Sequence, residues 1–239
     1  MRINWNYIKA FVLLILVVFL HAFSVGRNAE RKLTDVSVSF LGDENLYVTE
    51  QTVNKLLIQS EYDFTTVPKE TLDLNVVESA LNANPMIKKA QVYLSINGEV
   101  LAEVEQRNPI ARIHDDTSYY IDDEGLVMPL STKYTARVPL VTGVIDENDL
   151  ENVFLMATKI YNDAFLKKHI TQIHQNDSKE IVLSARILDF EIYIGDLNAI
   201  DKKINNFKAF YQKARKDKVL GKYSKVNLQF VNQVVCTKK

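Results

Sequence analysis

The strongest constraint on this chain is an uninterrupted apolar run near its start, from Tyr7 to Val25 (YIKAFVLLILVVFLHAFSV), in which only Lys9 and His21 carry a readily ionised side chain. Nineteen helical residues rise about 28 Å, close to the hydrocarbon thickness of a bilayer. Lys9 lies one turn inside and reaches back to the headgroups, Trp5 and Tyr7 suit the interface, and His21 falls near the far boundary. A cleaved signal peptide is the rival reading, with MRINWNYIK as its basic region and Ala22-Phe23-Ser24 as a small-x-small cleavage site. Either reading exports the rest of the chain. Flanking charge gives no direction, because Arg2 and Lys9 on one side balance Arg27, Arg31 and Lys32 on the other. Export is expected because only a few residues precede the run and more than two hundred come after it.

The remainder has ordinary globular composition. The whole chain is 239 residues, 47% hydrophobic and 25% charged, which excludes a disordered polar chain and leaves room for two small domains. Cys236 is the only cysteine, so neither an internal disulfide nor a multi-cysteine metal site can form. Charge is uneven: residues 201–239 hold eleven Lys or Arg against two acids. These cations alternate with apolar residues at regular spacing, as on the solvated faces of a helix and a strand.

Residues 33–110 read as one small domain after a linker over 26–32. Val36, Val38 and Phe40 alternate with Ser37 and Ser39, predicting a half-buried strand over Leu33–Leu41. Gly42-Asp43-Glu44-Asn45 is a turn. Thr49 then caps a helix with Val48 and Val53 as a hydrophobic staple and Val53, Leu56 and Leu57 as the buried stripe. Pro68 closes a polar loop. A second helix over Asn75–Asn82 is expected to bury Val76, Val77, Ala80 and Leu81, stopping before Pro85. Strands Ala90–Ile96 and Val100–Glu105 are joined by Asn97-Gly98, a dipeptide that tolerates positive φ at both positions. Ala90, Val92, Leu94 and Ile96 supply one face.

Thr49-Glu50-Gln51-Thr52-Val53, the segment Ala80–Val92 (ALNANPMIKKAQV) and the segment Glu103–Ala111 (EVEQRNPIA) together resemble a POTRA domain, and more narrowly the FtsQ/DivIB division proteins. Gln106 departs from the arginine or glutamate pattern often found there. The next stretch, 111–235, carries the rest of the resemblance. Ser118–Leu130 (SYYIDDEGLVMPL) is an aromatic strand entering the acidic turn Asp122–Gly125, and Pro139-Leu-Val-Thr-Gly143 matches the family's "P.itG" segment. Asp146 is expected to cap a helix with Leu150, Val153, Phe154, Ala157 and Ile160 inside. Strands come next around Ile170–His174, Ile181–Leu183 and Phe190–Ile194. Asp196 is expected to cap a long helix with Leu197, Ile200, Ile204, Phe207 and Tyr211 inside and its lysines mostly outside. One last strand, Tyr223–Val235, ends in Asn232-Gln233-Val234-Val235, like the family's closing strand, with Asn227 in place of the usual acid.

Chemistry-bearing motifs are absent from the sequence. Asp122, Asp123 and Glu124 could form a catalytic carboxylate cluster, but an acidic β-turn accounts for them, since adjacent strand residues face opposite ways. His169 and His174 lack an acidic third ligand at metal spacing, and His114 beside Asp115 and Asp116 offers only a loose cation site. Cys236 has no histidine at motif spacing. There is no glycine-rich phosphate loop, G-x-S-x-G or H-E-x-x-H. No cofactor, metal or catalytic residue is expected.

The expected fold is therefore α+β: a cytoplasmic tail (1–6), a transmembrane helix (7–25), a linker, a POTRA domain (33–110; two helices on a three-stranded sheet), a mixed β-domain with flanking helices (111–235) and a short tail (236–239). The resemblance implies a non-catalytic divisome protein of the inner membrane, its bulk periplasmic at the division septum. It also implies binding to the small coiled-coil proteins FtsB/DivIC and FtsL, and regulation of septal peptidoglycan synthesis, with the septal peptidoglycan synthase as a further partner. In that family the end of the β-domain makes the contact. Carried onto this chain, it selects Lys222, Tyr223, Lys225, Val226, Leu228 and Phe230 on an exposed final strand, with the edge of the POTRA sheet second. The basic stretch Lys213–Lys225 could also meet anionic lipid. Two rival functions are an exported enzyme acting on peptidoglycan and a POTRA protein of outer-membrane assembly. The latter usually carries several POTRA units and a barrel, for which this chain has no room.

Overall fold

The computed structural model describes residues 5–29, 33, 35–42, 45–59, 72–114, 117–146 and 149–239. Most of the expected N-terminal tail, linker residues 30–32, the acidic tip of the Gly42–Asn45 turn, the loop closed by Pro68, and Asp115 and Asp116 lie outside the described residues. The apolar run forms helix α1, Trp5–Ala29, so the expected linker is helical in its first four residues. Trp5–Arg27 has a mean hydropathy of 2.5 and none of it is buried in protein, the length and composition of a membrane span. Beyond this helix the fold is α+β, a POTRA-like three-stranded sheet followed by a larger sheet, and the chain divides into units Met1–Gln106 and Arg107–Lys239.

In the first unit β1 (Val36–Leu41), α2 (Glu50–Gln59), α3 (Leu74–Asn82), β2 (Ile87–Leu94) and β3 (Val100–Gln106) occur in that order. The sheet runs β1-β3-β2, with β1 parallel and β2 antiparallel to β3. Thr49 caps α2 through its hydroxyl, which accepts from the Thr52 N–H at 3.3 Å, and both staple residues Val48 and Val53 are buried. Asp73 caps α3, accepting from the Asn75 N–H at 2.9 Å. The buried stripe of α3 is narrower than expected: Val77 and Leu81, one turn apart, are buried, while Val76 is exposed. Between β2 and β3 only Gly98 takes positive φ (91°), and the loop spans Ser95–Glu99, closed by the Ser95 N–H on the Glu99 carbonyl at 2.9 Å. That longer loop lifts Ile96 off the core face into solvent. Gln106 is buried, where its amide oxygen accepts from the Tyr47 and Val48 N–H groups and its NH₂ donates to the Val48 carbonyl. A side chain with both a donor and an acceptor satisfies all three bonds, which a carboxylate or a guanidinium alone could not.

The second unit is a nine-stranded sheet in the order β12-β11-β10-β9-β8-β7-β4-β5-β6. Its strands are β4 (Pro109–His114), β5 (Ser118–Asp122), β6 (Val127–Met128), β7 (Leu140–Gly143), β8 (Ile170–Gln175), β9 (Ile181–Ala185), β10 (Leu188–Gly195), β11 (Tyr223–Asn227) and β12 (Val235–Lys238). Parallel neighbours require a crossover. Helices α4 (Glu151–Asn162) and α5 (Ala164–His169) connect the parallel pair β7 and β8, and α6 (Ile200–Lys216) connects the parallel pair β10 and β11. Ile113, Ile121, Met156, Ile173, Ile192 and Phe207 are among the residues of the single core these elements enclose. Space is tight where β7 meets β8: at Gly143 (φ 105°) an added Cβ would lie 1.9 Å from the Gln175 carbonyl oxygen.

Three helix starts differ from expectation. α4 begins at Glu151, capped by Leu150 without a side-chain bond, because Asp146 instead forms a bridge with Asp149, whose N–H reaches the Asp146 carbonyl at 2.9 Å. α5 has no counterpart in the expected elements; Asp163 caps it, accepting from the Phe165 and Leu166 N–H groups. α6 begins at Ile200 after Ala199, which sits at φ 51°, and Asp196 is drawn away by Lys203. The lysines of α6 were expected mostly outside its buried stripe, but the Lys203 ammonium is buried, donating to the carbonyls of Ile194 (3.1 Å) and Asp196 (2.8 Å) and to Asp196 Oδ1 (2.7 Å).

Lys203, followed by Asn198, holds the Asp196 carboxyl below its ordinary range by hydrogen bonding. A carboxylate with a depressed folded value stabilises the protein above its unfolded value of about 4 and loses that contribution as pH falls through the folded one. Asp196→Asn should therefore unfold at lower temperature than the parent at pH 7, with the gap narrowing as pH falls below about 4. Thermal melts across pH in one detergent check this.

Candidate partner-binding site

The C-terminal region folds as a hairpin and not as one strand. Expectation ran a single strand from Tyr223 to Val235; the structure ends β11 at Asn227 and returns the chain as β12, antiparallel to it. The reversal has a local cause. The Asn227 side chain accepts from the Gln229 N–H at 2.9 Å, an Asx-type turn, while the Leu228 N–H goes to the Tyr193 carbonyl at 2.8 Å. Asn206 then holds the Val231 carbonyl at 2.8 Å from α6. Close packing completes the corner, since a Cβ on Gly195 would meet the Gln229 side chain at 2.7 Å.

This corrects where the open edge lies. β11 is flanked on both sides, by β10 in parallel and β12 antiparallel, so the end of the sheet is β12. Of the six residues selected from the sequence, Val226 and Leu228 are fully buried and belong to the core, Val226 from β11 and Leu228 from just past its end. Tyr223 is half-buried with its ring 5.5 Å from that of Phe210, and the Lys225 ammonium lies 4.1 Å over the Tyr193 ring. Lys222 is exposed in a 3-10 turn (Leu220–Lys222), and its carbonyl accepts from the Lys239 N–H at 2.9 Å. Phe230 is exposed at the far end, in the hairpin loop. The four accessible residues are therefore strung along β11, with Lys222 and Tyr223 at one end and Phe230 beyond the other.

Residues 235–238 were expected to be the last strand residue and a frayed tail. Instead Val235, Cys236, Thr237 and Lys238 pair with Asn227, Val226, Lys225 and Tyr223. The β-branched and apolar run Val234-Val235-Cys236-Thr237 after Asn232-Gln233 was the available signal. Cys236 packs on the core, and burial pushes its thiol above the ordinary range, which suits packing and not nucleophilic attack.

The residues weighed for catalysis are engaged in structure. Asp122 is fully buried; its Oδ2 takes the Arg107 guanidinium at 2.6 Å, and its Oδ1 accepts from the N–H groups of Glu124 (3.0 Å) and Leu126 (2.7 Å). Glu124 lies 3.5 Å from the same guanidinium. His169 is held between the Phe165 carbonyl and the Tyr211 hydroxyl, His174 bonds Thr142, and His114 bonds Ser118. Among the described residues no group of three or more His, Cys, Asp or Glu is placed to hold a metal. Asp122→Asn removes the nearer charge partner of Arg107 and breaks a wholly buried carboxylate's network, leaving Glu124 at 3.5 Å. Urea unfolding should show a loss of about 3 kcal/mol or more, against under about 0.5 kcal/mol for the exposed Asp123→Asn.

Two family models match the chain. The model described as "FtsQ/DivIB, C-terminal related" covers residues 108–237, and a POTRA-like domain covers residues 36–105. No curated protein matches it. Both families are generally non-catalytic, and the FtsQ/DivIB domain implies a role in cell division. The first match takes in more than half of the sequence, and the chain belongs to the FtsQ/DivIB family.

Proposed function

We propose that this protein is a non-catalytic assembly factor of the divisome that captures small single-pass coiled-coil proteins, of the FtsB/DivIC and FtsL kind, by adding a segment of the partner to the edge strand β12. Family membership gives the cell-division role, and with the apolar α1 it fits a single-pass inner-membrane protein. In this reading the bulk of the chain is periplasmic at the septum, and capture couples the partners to septal peptidoglycan synthesis. The observation that carries the reading is the open edge. β12 ends a nine-stranded sheet, pairs on one side only, and has mostly exposed side chains. A strand edge of this kind offers unpaired N–H and C=O groups to an incoming segment.

Of the other three edges, β1 ends the first sheet and is the rival, and two are less inviting. β6 is two residues long. The outer side of β2 is already covered: Asn82 bonds both the N–H and the carbonyl of Ala90, and Glu78 accepts from the Val92 N–H. Phe230 and Val235, both exposed, stand at the loop end of the β11–β12 hairpin and give an arriving segment an apolar foothold. Lys222, Tyr223 and Lys225 supply contacts along the same hairpin.

The test is capture of the two coiled-coil proteins by the full detergent-solubilised chain and by a chain lacking residues 235–239. β12 contributes no fully buried side chain, so the shortened chain should keep its circular dichroism spectrum while capture falls at least about tenfold. Phe230→Asp should weaken capture without unfolding. Undiminished capture by the shortened, folded chain would place the site elsewhere.

A further inference from the structure

A cleft in the second unit has the features of a ligand site and no part in the proposed partner capture. Its volume is about 280 Å³. Ile110, Ile160 and Ile170 give it an apolar lining, extended by Val138 and Pro139 just before β7. Three cations, Arg137, Lys167 and Arg186, also line it, and no carboxylate does. Among the described residues the ion pairs of this unit are made by Arg107, Lys159, Lys179, Lys203, Lys208 and Lys239, so none of the three cleft cations is neutralised in that way.

Parts of the cleft wall are anchored. The Lys167 ammonium lies 4.4 Å over the Tyr161 ring, and the Tyr161 hydroxyl accepts from Asn108 at 2.5 Å, which anchors that wall. The Arg186 N–H bonds the His169 carbonyl at 2.9 Å, tying the β9–β10 turn to the end of α5. Two arginines and a lysine, all exposed and lining one cleft without an acid, attract an anion, and guanidinium forks favour a planar carboxylate. The apolar lining adds a second requirement, because a bare inorganic anion would leave it unfilled.

We propose that this cleft binds a peptide carboxylate, either an Asp or Glu side chain or a free chain end, carried beside an apolar residue. None of its residues falls within 235–239, so removing β12 leaves the cleft intact and the two readings can fail separately.

The test uses the full chain in detergent and fluorescence anisotropy with N-terminally labelled peptides. The probes are Ala-Leu-Glu-Leu-Ala with an amidated end, its Glu→Gln counterpart, and Ala-Leu-Ala-Leu-Ala with a free carboxylate. Saturable binding of either carboxylate peptide, at least about tenfold tighter than the Gln peptide, supports the proposal, and their order tells a side chain from a chain end. Arg137→Glu and Arg186→Glu should each weaken that binding by about tenfold, with Lys202→Glu, an exposed cation elsewhere on the unit, without effect. Binding of the Gln peptide as tight as that of both carboxylate peptides, no saturable binding of either carboxylate peptide, or binding that survives both arginine reversals in folded protein would overturn it. Preferential binding of inorganic phosphate would also overturn it.

Discussion

The second unit is organised around the Arg107–Asp122 pair. Arg107 is the first residue of that unit, and Asp122 closes β5, its carboxylate wholly out of water. A buried carboxylate is tolerable only when its lone pairs are filled, and here a guanidinium and two backbone N–H groups fill them. Those bonds shape the acidic turn, where Gly125 takes φ 82°, and so fix how β5 returns to β6. The Asp123 N–H on the Asn108 carbonyl ties the same turn to the start of β4. The antiparallel register of β4 and β5 results, and every strand after β6 is added on the far side of β4.

Growth in one direction leaves an unequal pair of edges. At one end the sheet stops at β6, too short to template another chain. At the other it stops at β12, after the α6 crossover has placed β11 beside β10. Natural sheets usually blunt their edges, as α3 does for β2 in the first unit through Asn82 and Glu78. Among the described residues the β12 edge has no such cover, and it flanks exposed Phe230 and Val235. An edge left open beside an apolar foothold is the physical basis for the proposed capture of a partner strand.

Much of this was legible in the sequence, and the misses have specific causes. Period-two alternation located β1, and the cap at Thr49 and the stop before Pro85 located the helices of the first unit, because each of those signals is local. Asp196 and Asp146 looked like caps for the same local reason, but the buried Lys203 ammonium and a bridge to Asp149 claimed them instead. The strand from Tyr223 was overextended because Val226, Leu228 and Phe230 keep alternating after the backbone has left the ladder at Asn227. Periodicity registers which residues are apolar, and it is blind to the Asx turn, to Asn206 reaching across from α6 and to the crowding at Gly195. The candidate site shifted by one strand for that reason, taking Val226 and Leu228 into the core and bringing Cys236 and Thr237 to the edge. The cationic cleft was invisible in the sequence, since Arg137, Lys167 and Arg186 are far apart in the chain and meet only in the fold.

Hydrogen–deuterium exchange of the full chain, with and without the two small coiled-coil division proteins, bears most directly on the open-edge claim. The account predicts that partner binding slows exchange at the amides of Val235–Lys238 while those of Ile87–Leu94, already covered by α3, exchange as before. Protection that appears in the first unit and leaves β12 unchanged would contradict it.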